Sequence, residues 1–594
     1  MRRFSIRIGL TTILLGSAAV AQTTTMVSRA SNGAPANNTS EIAGPRSISG
    51  DGRFVVFRSP ANNLVAGDTL FSYDVFVHDR QTGATELVSQ SSSGVIGNDL
   101  SGGASITDDG RFVLFTSAAS NLVAQDTNVA VDVFLRDRLY GTTRRVSLAW
   151  DGAEGNNHSY AGSISEDGQR IAFTSVATNL VPGDLNQAVD VFVRDRVEST
   201  TTLESVSSLG AAGNADSGGP SISGDGRFLA FASAATNLVP SDTNGWKDIF
   251  VRDRQTGSTA IASVGLGGAP ANGDSTWPSI SADGCAVAFN SLASNLILSD
   301  PNGDFDVFVR DLCFGNTELM SRTPFGGPGG APGFTPSISA DGSVVAFYSW
   351  SWDFVPDDTN SGFDVFVARR FGGPVERVSV TSDGGQAAPE STLPSISRDG
   401  RFVAFNSRSW NLVPNDSNAA VQDVFVRDRA PSIVPFCSGD GTAGACPCGN
   451  SGAEGHGCQN SASTGGAILG ASGAPSLAHD TLSLASTGGL PSSTCIFLQG
   501  SLSIAPVSYG DGLRCIGGSI KRLYLRGASG GAVTAPIGGE LAVSARSAAL
   551  ADTIPTGASR YYQVFYRDPN PSFCPAPAGN TWNVSSGVAV AWGY

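Results

Sequence analysis

An all-β fold, a seven-bladed β-propeller followed by a small disulfide-bearing β domain, is what three observations in this 594-residue sequence predict. Asp-Gly recurs at Asp51-Gly52, Asp109-Gly110, Asp167-Gly168, Asp225-Gly226, Asp283-Gly284, Asp341-Gly342 and Asp399-Gly400, each 58 residues after the one before. Two phenylalanines hold fixed places in every one of these seven units. Charged residues make up only 15% of the chain while 73 positions are glycine, a mix that suits many turns and few exposed helices.

The N-terminus comes first in chain order. Met1-Arg2-Arg3-Phe4-Ser5-Ile6-Arg7 is basic, Ile8 to Val20 is largely apolar, and Ala19-Val20-Ala21 fits a small-x-small cleavage site. This predicts a signal peptide, residues 1–21, cut before Gln22, and export to the periplasm or medium. The apolar run is shorter than the ~20 residues that cross a bilayer, and no later segment is apolar enough to do so. With 37 Lys+Arg against 52 Asp+Glu the formal charge is −15, which disfavours attraction to phosphate backbones and excludes a basic nucleic-acid binder.

The propeller is predicted over residues 22–430. Each unit reads as Ser-Ile-Ser/Thr, a tight turn ending in Asp-Gly, and an apolar run such as Arg227-Phe228-Leu229-Ala230-Phe231. A polar stretch follows, then Asp-Val-Phe-Val-Arg-Asp as at Asp190 to Asp195, a Thr-Gly-type turn and a Val-Ser strand as at Val88-Ser89. That is a four-stranded antiparallel meander. The fixed phenylalanines are Phe57, Phe115, Phe173, Phe231, Phe289, Phe347 and Phe405, then Phe76, Phe134, Phe192, Phe250, Phe308, Phe366 and Phe425. Strands apolar on both faces need cover on both, which radial stacking of sheets as blades supplies. The last unit runs through Val426 into Arg429-Ala430-Pro431 without an outer strand, and the missing copy stands at Thr25-Met26-Val27-Ser28. The N-terminal strand is therefore predicted to complete blade 7 and close the ring.

The Ser-Ile-Ser-x-Asp-Gly-Arg-Phe-Val-Ala-Phe and Asp-Val-Phe-Val-Arg-Asp texts resemble TolB-type, WD40-like propeller repeats over Thr23 to Arg429. The resemblance implies a propeller that serves as a scaffold, ligand binder or accessory domain, and a periplasmic setting with envelope proteins as partners. The chain departs from that family's plan in having seven blades and no separate N-terminal domain.

In such a meander the connections alternate between two faces. The tight turns share one, and the long connections, such as Ser59 to Tyr73 and Gln90 to Gly103, share the other, where a ligand face is expected. These loops repeat Asp-x-Asn with a later Asp: Asp126, Asn128 and Asp132; Asp184, Asn186 and Asp190; Asp242, Asn244 and Asp248; Asp300, Asn302 and Asp306; Asp358, Asn360 and Asp364. In unit 7 Asp416 and Asn418 are followed one place late by Asp423, and unit 1 has Leu70 in the Asn position. The pattern has two readings. Alternating oxygens resemble the start of a calcium loop, richest at Asp300, Asn302, Asp304 and Asp306, with Asp242, Asn244 and Asp248 next. Alternatively the side chains make Asx-turns that hold the loop. Asn-x-x-Ser also recurs, at Asn98 and Ser101, Asn156 and Ser159, Asn214 and Ser217, and Asn272 and Ser275, suited to turn bonds more than to sugar hydroxyls. Trp246, Trp277, Trp350, Trp352 and Trp410 stand either exposed for sugar binding or packed between blades.

Four histidines, His78, His158, His456 and His479, are scattered, and no Ser-His-Asp text stands out. Carboxylates mostly repeat in register, whereas a catalytic residue should break the symmetry of its ring. Cys285 and Cys313 sit where antiparallel pairing brings them opposite, which predicts a disulfide in blade 5. Residues 431–435 read as a linker, and 436–594 as a cysteine-containing β domain with strands near Cys495 to Leu498, Ile520 to Leu525, Tyr561 to Tyr566 and Val588 to Trp592. Its Phe436 to Cys458 segment looks like C-terminal modules of secreted bacterial proteins. Its seven cysteines allow three disulfides of undetermined pairing, and oxidation outweighs a zinc reading of Cys446, Cys448, His456 and Cys458. The sequence thus reads as an exported, non-catalytic scaffold for an envelope or extracellular protein or a glycan. The alternatives are a metal-dependent hydrolase or lyase centred on the channel, and a lectin-like propeller favoured if the tryptophans are exposed.

Overall fold

The computed structural model describes residues 22–594 except 45, 70, 373, 415, 417, 419–420, 430–433, 442–443, 448, 473–474, 476–479, 556–557, 571–581 and 593–594. The stretch predicted as a signal peptide, Cys448, His479 and Cys574 lie outside the described residues. The chain divides into two units, one spanning Thr23–Arg429 and one holding Ala430–Tyr594.

The first unit consists of seven four-stranded antiparallel sheets. Blade 1 runs Glu41–Ile42, Phe54–Ser59, Asp74–Asp79 and Thr85–Leu87, and blade 2 runs Ser101–Ile106, Phe112–Ser117, Asp132–Asp137 and Thr142–Arg145. Blades 3 to 6 repeat this order from inner strands Ser159–Ile164, Ser217–Ile222, Ser275–Ile280 and Gly333–Ile338. Blade 7 takes Ser391–Ile396, Phe402–Ser407 and Asp423–Asp428 from the end of the repeat and Thr23–Met26 from the start. Thr23 pairs with Asp428 and Met26 with Phe425, so the ring closes as expected. The outer strands end one residue short of the expected Val-Ser text: Thr85–Leu87 stops before Val88, and Thr23–Met26 before Val27.

Fourteen phenylalanines explain why the sheets stack. Phe57 pairs with Phe76 across neighbouring strands, and the same register recurs in every blade, with ring centroids 5.7 to 6.1 Å apart. All fourteen are fully buried. At ~1.5–3 kcal/mol for each buried ring, they dominate the ring's cohesion. Each apolar cluster takes residues from two successive sheets, as where Phe115 and Phe134 of blade 2 meet Val56, Val75 and Val77 of blade 1.

Polar clasps hold the edges. In blades 1, 2, 4 and 7 an arginine opening the second strand forms a two-pronged bond to the aspartate closing the third: Arg53 to Asp79, Arg111 to Asp137, Arg227 to Asp253 and Arg401 to Asp428, at 2.7 to 3.1 Å. Blade 5 has Cys285 at the arginine position, and there a disulfide to Cys313 joins the two strands, with Cα atoms 5.4 Å apart.

The second unit is also mostly β. Its main sheet runs Val434–Phe436, Gly587–Ala591, Ser559–Arg567, Thr494–Gly500 and Lys521–Gly527, with Trp582–Val584 beside Ser559–Arg567. Val434 therefore already belongs to this sheet, inside the stretch read as linker. A three-stranded sheet (Ile468–Ser472, Ser483–Thr487, Val533–Ala535) and the hairpin Leu502–Tyr509 with Gly512–Gly517 complete the β structure. One helix, Val543–Ala549, was not expected from the sequence; its seven residues are too few to show a helical period. Cys437 pairs with Cys515 and Cys446 with Cys458, while Cys495 is a buried thiol. The Cys446–Cys458 bond consumes two thiolates of the zinc reading, and His456 Nδ1 lies 2.7 Å from the Gly466 carbonyl oxygen. Among the described residues no helix is long and apolar enough to cross a membrane.

Candidate functional site

The tight Ser-x-Asp-Gly turns cluster at one end of the ring. Ser49 Oγ donates to Asp51 Oδ1 at 2.6 Å, the same oxygen accepts from the Arg53 amide, and Gly52 turns the chain with φ +72°. A Cβ on Gly52 would lie 2.1 Å from the ring of Phe402 in the adjoining blade, so glycine serves both the turn and the blade seam. The variable residue of this turn faces the axis. In all seven blades the residue before it is a serine or threonine, but the turn residues themselves differ: Gly50, Asp108, Glu166, Gly224, Ala282, Ala340 and Arg398.

These differences build an asymmetric charged cluster. Arg398 Nη1 lies 2.7 Å from Asp108 Oδ2 and also pairs with Glu166. Above it, Arg46 occupies a register position that is Ala104, Gly162, Pro220, Pro278, Pro336 and Pro394 in the other blades. Its guanidinium donates to the carbonyls of Ile164 and Ile280 at 3.3 and 3.4 Å, reaching across the axis. Burial pulls the Arg46 pKa down, with the Asp108 and Glu166 charges acting against that shift. The cavity that these residues line, together with Ile280 and Ser337, holds about 30 Å³. That is room for water and not for an organic substrate.

At the opposite end lie the long loops. Their Asn-x-x-Ser residues are engaged with the protein itself: Asn98 Oδ1 accepts from the Ser120 amide at 2.9 Å, and its Nδ2 donates to Ser120 Oγ at 3.1 Å. Asn156, Asn214 and Asn272 make the same side-chain bond in their loops, each Nδ2 donating to a hydroxyl at 3.0 Å.

The Asp-x-Asn loops are likewise bound inward. In blades 2 to 6 the asparagine Nδ2 donates to the later aspartate and to a backbone carbonyl of the next loop; for Asn302 these are Asp306 Oδ2 at 2.8 Å and Gly329 O at 3.2 Å. Asn244 Oδ1 accepts from the Trp246 amide and Asn302 Oδ1 from the Asp304 amide, as an Asx-turn requires. Each later aspartate also accepts from a serine: Asp248 from Ser263 and Asp306 from Ser321, at 2.5 and 2.6 Å. Burial nonetheless pushes Asp248 up to about 6 and Asp306 up to about 7, the serine bonds acting the other way. Asp300 and Asp242 are raised by burial too.

Three carboxylates converge elsewhere. Among the described residues, Asp126, Asp132 and Glu154 bring their oxygens within 4.8 Å of one another. Arg145 sits among them, its Nη1 3.2 Å from Asp132 and 3.8 Å from Asp126 and paired with Glu154. Arg377 does the same in blade 6, 3.5 Å from Asp358 and 3.8 Å from Asp364. The signal for these arginines was in the sequence: their register position is Leu87, Leu203, Ile261 and Leu319 elsewhere.

The tryptophans are exposed on the long-loop side. Trp246, Trp350, Trp352 and Trp410 lie in connections between second and third strands of blades 4, 6 and 7, and Trp277 lies near the start of the blade 5 inner strand. Trp277 is 60% exposed and Trp352 62%. A β-bulge between Thr276 and Ser279 holds Trp277 at φ +55°, a left-handed conformation costly for a bulky side chain. Beside it, Phe334 contacts Phe305, Tyr348, Trp350 and Phe363, ring centroids 5.4 to 6.4 Å apart.

No protein-family model matches the chain, and no curated protein matches it. Among solved structures it is similar to a TolB described as putative from Agrobacterium tumefaciens, at 18% identity over 48% of this chain and 80% of that one, with a TM-score of 0.31. It is also similar to TolB from Acinetobacter baumannii, at 15% identity over 64% of this chain and 80% of that one, TM-score 0.31. A third is the β-propeller domain of the trilobed protease from Pyrococcus furiosus, at 10% identity over 66% and 94%, TM-score 0.41.

Proposed function

We propose that this chain is an exported, non-catalytic binding scaffold that presents the long-loop face of its propeller to a glycan outside the cytoplasm. The observation that carries this reading is the sector of exposed tryptophans across blades 4 to 7. Flat amphipathic rings suit the apolar faces and polar rims of sugars, and a cluster of exposed aromatic rings is the kind of patch that marks a binding site. The bulge at Trp277 recurs at Gly103, Gly219, Thr335 and Leu393, so the repeat supplies the position and blade 5 places a tryptophan on it. Two disulfides in the C-terminal unit and one in blade 5 suit an oxidising compartment.

The rival reading, a metal-dependent hydrolase or lyase in the channel, would draw on Asp108 and Glu166, the carboxylates that break the ring's symmetry. Both are neutralised by Arg398 beside a cavity of about 30 Å³, which supports a plug at that mouth.

The test is retention of the full chain on insoluble cell-wall and extracellular polysaccharides, with tryptophan fluorescence followed during titration by soluble oligosaccharides. Trp277→Ala and Trp352→Ala should each weaken binding about tenfold or more, as anchors of a binding surface do. Wild-type binding in both variants would overturn the tryptophan face. Retention of protein alone would move the scaffold to a protein partner, and turnover lost on Asp108→Asn would establish the rival.

A further inference from the structure

The ring contains its own internal comparison. Blades 2 to 6 carry the same pair of aspartates in the long connection, yet only two of the five bring a cation to it. In blade 2, Arg145 fills the space between Asp126 and Asp132 and also donates from Nη2 to the Gln125 carbonyl at 3.1 Å. In blade 6, Arg377 fills the space between Asp358 and Asp364 and donates from Nη2 to the Asp357 carbonyl at 3.3 Å. Both blades add a polar residue from the next loop, Glu154 bonding Arg145 and Gln386 donating to Asp358 and Asp364. The arginine position in blades 3, 4 and 5 is Leu203, Ile261 and Leu319, and the next-loop position is Ala212, Pro270 and Pro328. The arginine and the next-loop polar residue that meet the aspartates in blades 2 and 6 are thus both apolar in blades 3 to 5, while the aspartates and their asparagine and serine donors are kept.

The consequence is visible in blade 3. Asp184 is 7% exposed, and its Oδ1 is buried without a hydrogen-bond partner. Asp300 in blade 5 is half-buried, with Oδ1 itself buried and without a partner, while Asp242 Oδ1 in blade 4 accepts only a long bond, 3.4 Å, from the Asn244 amide. Among the described residues no Lys, Arg or His forms an ion pair with Asp184, Asp190, Asp242, Asp248, Asp300 or Asp306. Leaving buried carboxylates unanswered is costly, and the other two blades show which charge answers them and where it sits.

We propose that blades 3, 4 and 5 each bind a calcium-class divalent cation at the place that the guanidinium of Arg145 or Arg377 fills in blades 2 and 6. The ligands in blade 3 are the Asp184 and Asp190 carboxylates and the Gly183 carbonyl, the counterpart of Gln125 O, with water completing the shell. Asp242 and Asp248 serve in blade 4, and Asp300 and Asp306 in blade 5, with water in place of the carbonyl, since Ser241 and Ser299 lack the positive φ that Gln125, Gly183 and Asp357 share. An all-oxygen set suits a hard cation. With two carboxylates per site, affinity falls in the ~10⁻⁴–10⁻³ M range typical of extracellular calcium modules. The asparagines are not ligands in this scheme, since their Nδ2 groups face the aspartates.

The experiment uses the full chain, stripped by chelator and titrated with calcium chloride, with magnesium chloride as a parallel arm. Bound calcium is counted by equilibrium dialysis and the melting temperature is followed. The wild type should bind three calcium ions and melt higher in calcium. Leu203→Arg, which copies the chain's own solution in blades 2 and 6, should lower the count to two, whereas Leu203→Ala should keep three. Leu203→Arg with Ile261→Arg and Leu319→Arg should melt at one temperature with or without calcium. If Leu203→Arg does not fold, Asp184→Asn should remove one ion instead. No binding at millimolar calcium, or three ions still bound when blade 3 carries its arginine or Asp184→Asn, would overturn the proposal.

Discussion

Asp74 shows what a single missing side chain does to a repeated site. In blades 2 to 6 an asparagine amide donates to Oδ2 of the equivalent aspartate, but unit 1 has Leu70 at that position, and Asp74 Oδ2 is buried without a partner. Ser89 still donates to Oδ1 at 2.6 Å. Burial lifts the Asp74 carboxyl to about 7, with the Asp68 charge adding to the rise and Ser89 opposing it. A carboxyl whose folded pKa is raised contributes stability that is present below its ordinary value of ~3.9 and lost as pH rises through about 7. Asp74→Asn removes that titration and keeps an acceptor for Ser89. The variant should therefore gain on the wild type between pH 5 and pH 8, read as the difference in melting temperature at the two pH values. A constant offset across that window would show that Asp74 is charged at no stability cost.

At the scale of the strand and hairpin, blade 5 exchanges one clasp for another. Where Arg227 grips Asp253 in blade 4, Cys285 and Cys313 are bonded, and Asp311 is left to Arg370 of blade 6 at 2.7 Å. The disulfide closes a segment of 28 residues, for which chain entropy gives about 3.6 kcal/mol. Cys285→Ser with Cys313→Ser should lower unfolding free energy by that order in denaturant titration, and unchanged stability would mean that the ring alone constrains the hairpin. This element was legible in the sequence because both cysteines lie in one hairpin whose register follows from the Asp-Gly turn and the Asp-Val-Phe text. So were the phenylalanine pairs, which are fixed by the same local register. The parts of the site that were not legible depend on residues from different units. Arg398 meets Asp108 and Glu166 only after the ring is closed, Arg46 reaches carbonyls of blades 3 and 5, and Arg145 finds its charges in two loops. The bulge at Trp277 escaped as well, since a one-residue shift in pairing at the partly exposed start of a six-residue strand leaves too few residues to show a change of pattern.

For the propeller as a whole molecule, closure is the decisive event. Ser28 Oγ donates to Asp423 Oδ1 at 2.6 Å across 395 residues of sequence, while the matching bond from Ser205 to Asp190 spans 15. Chemically the two bonds are equal, and each serine also accepts an amide, from Val424 and Val191 respectively. Removing either should cost roughly 1.5–3 kcal/mol, the range for a bond to a charged group. The distribution should differ: Ser28→Ala should speed amide exchange at Met26, Val27 and Val424 by letting the terminal strand peel away, whereas Ser205→Ala should leave blade 3 protected because its outer strand is tethered by a short turn. Equal exchange in the two variants would mean that the seam is no weaker than any hairpin. The seam also sets a timetable. Thr23–Met26 is made among the first residues of the propeller and its partner, Asp423–Asp428, among the last. Through synthesis the leading strand must wait, unpaired, for the trailing one, so the nascent ring stays open until nearly its entire length has emerged, and the final step of its assembly is the docking of its oldest segment.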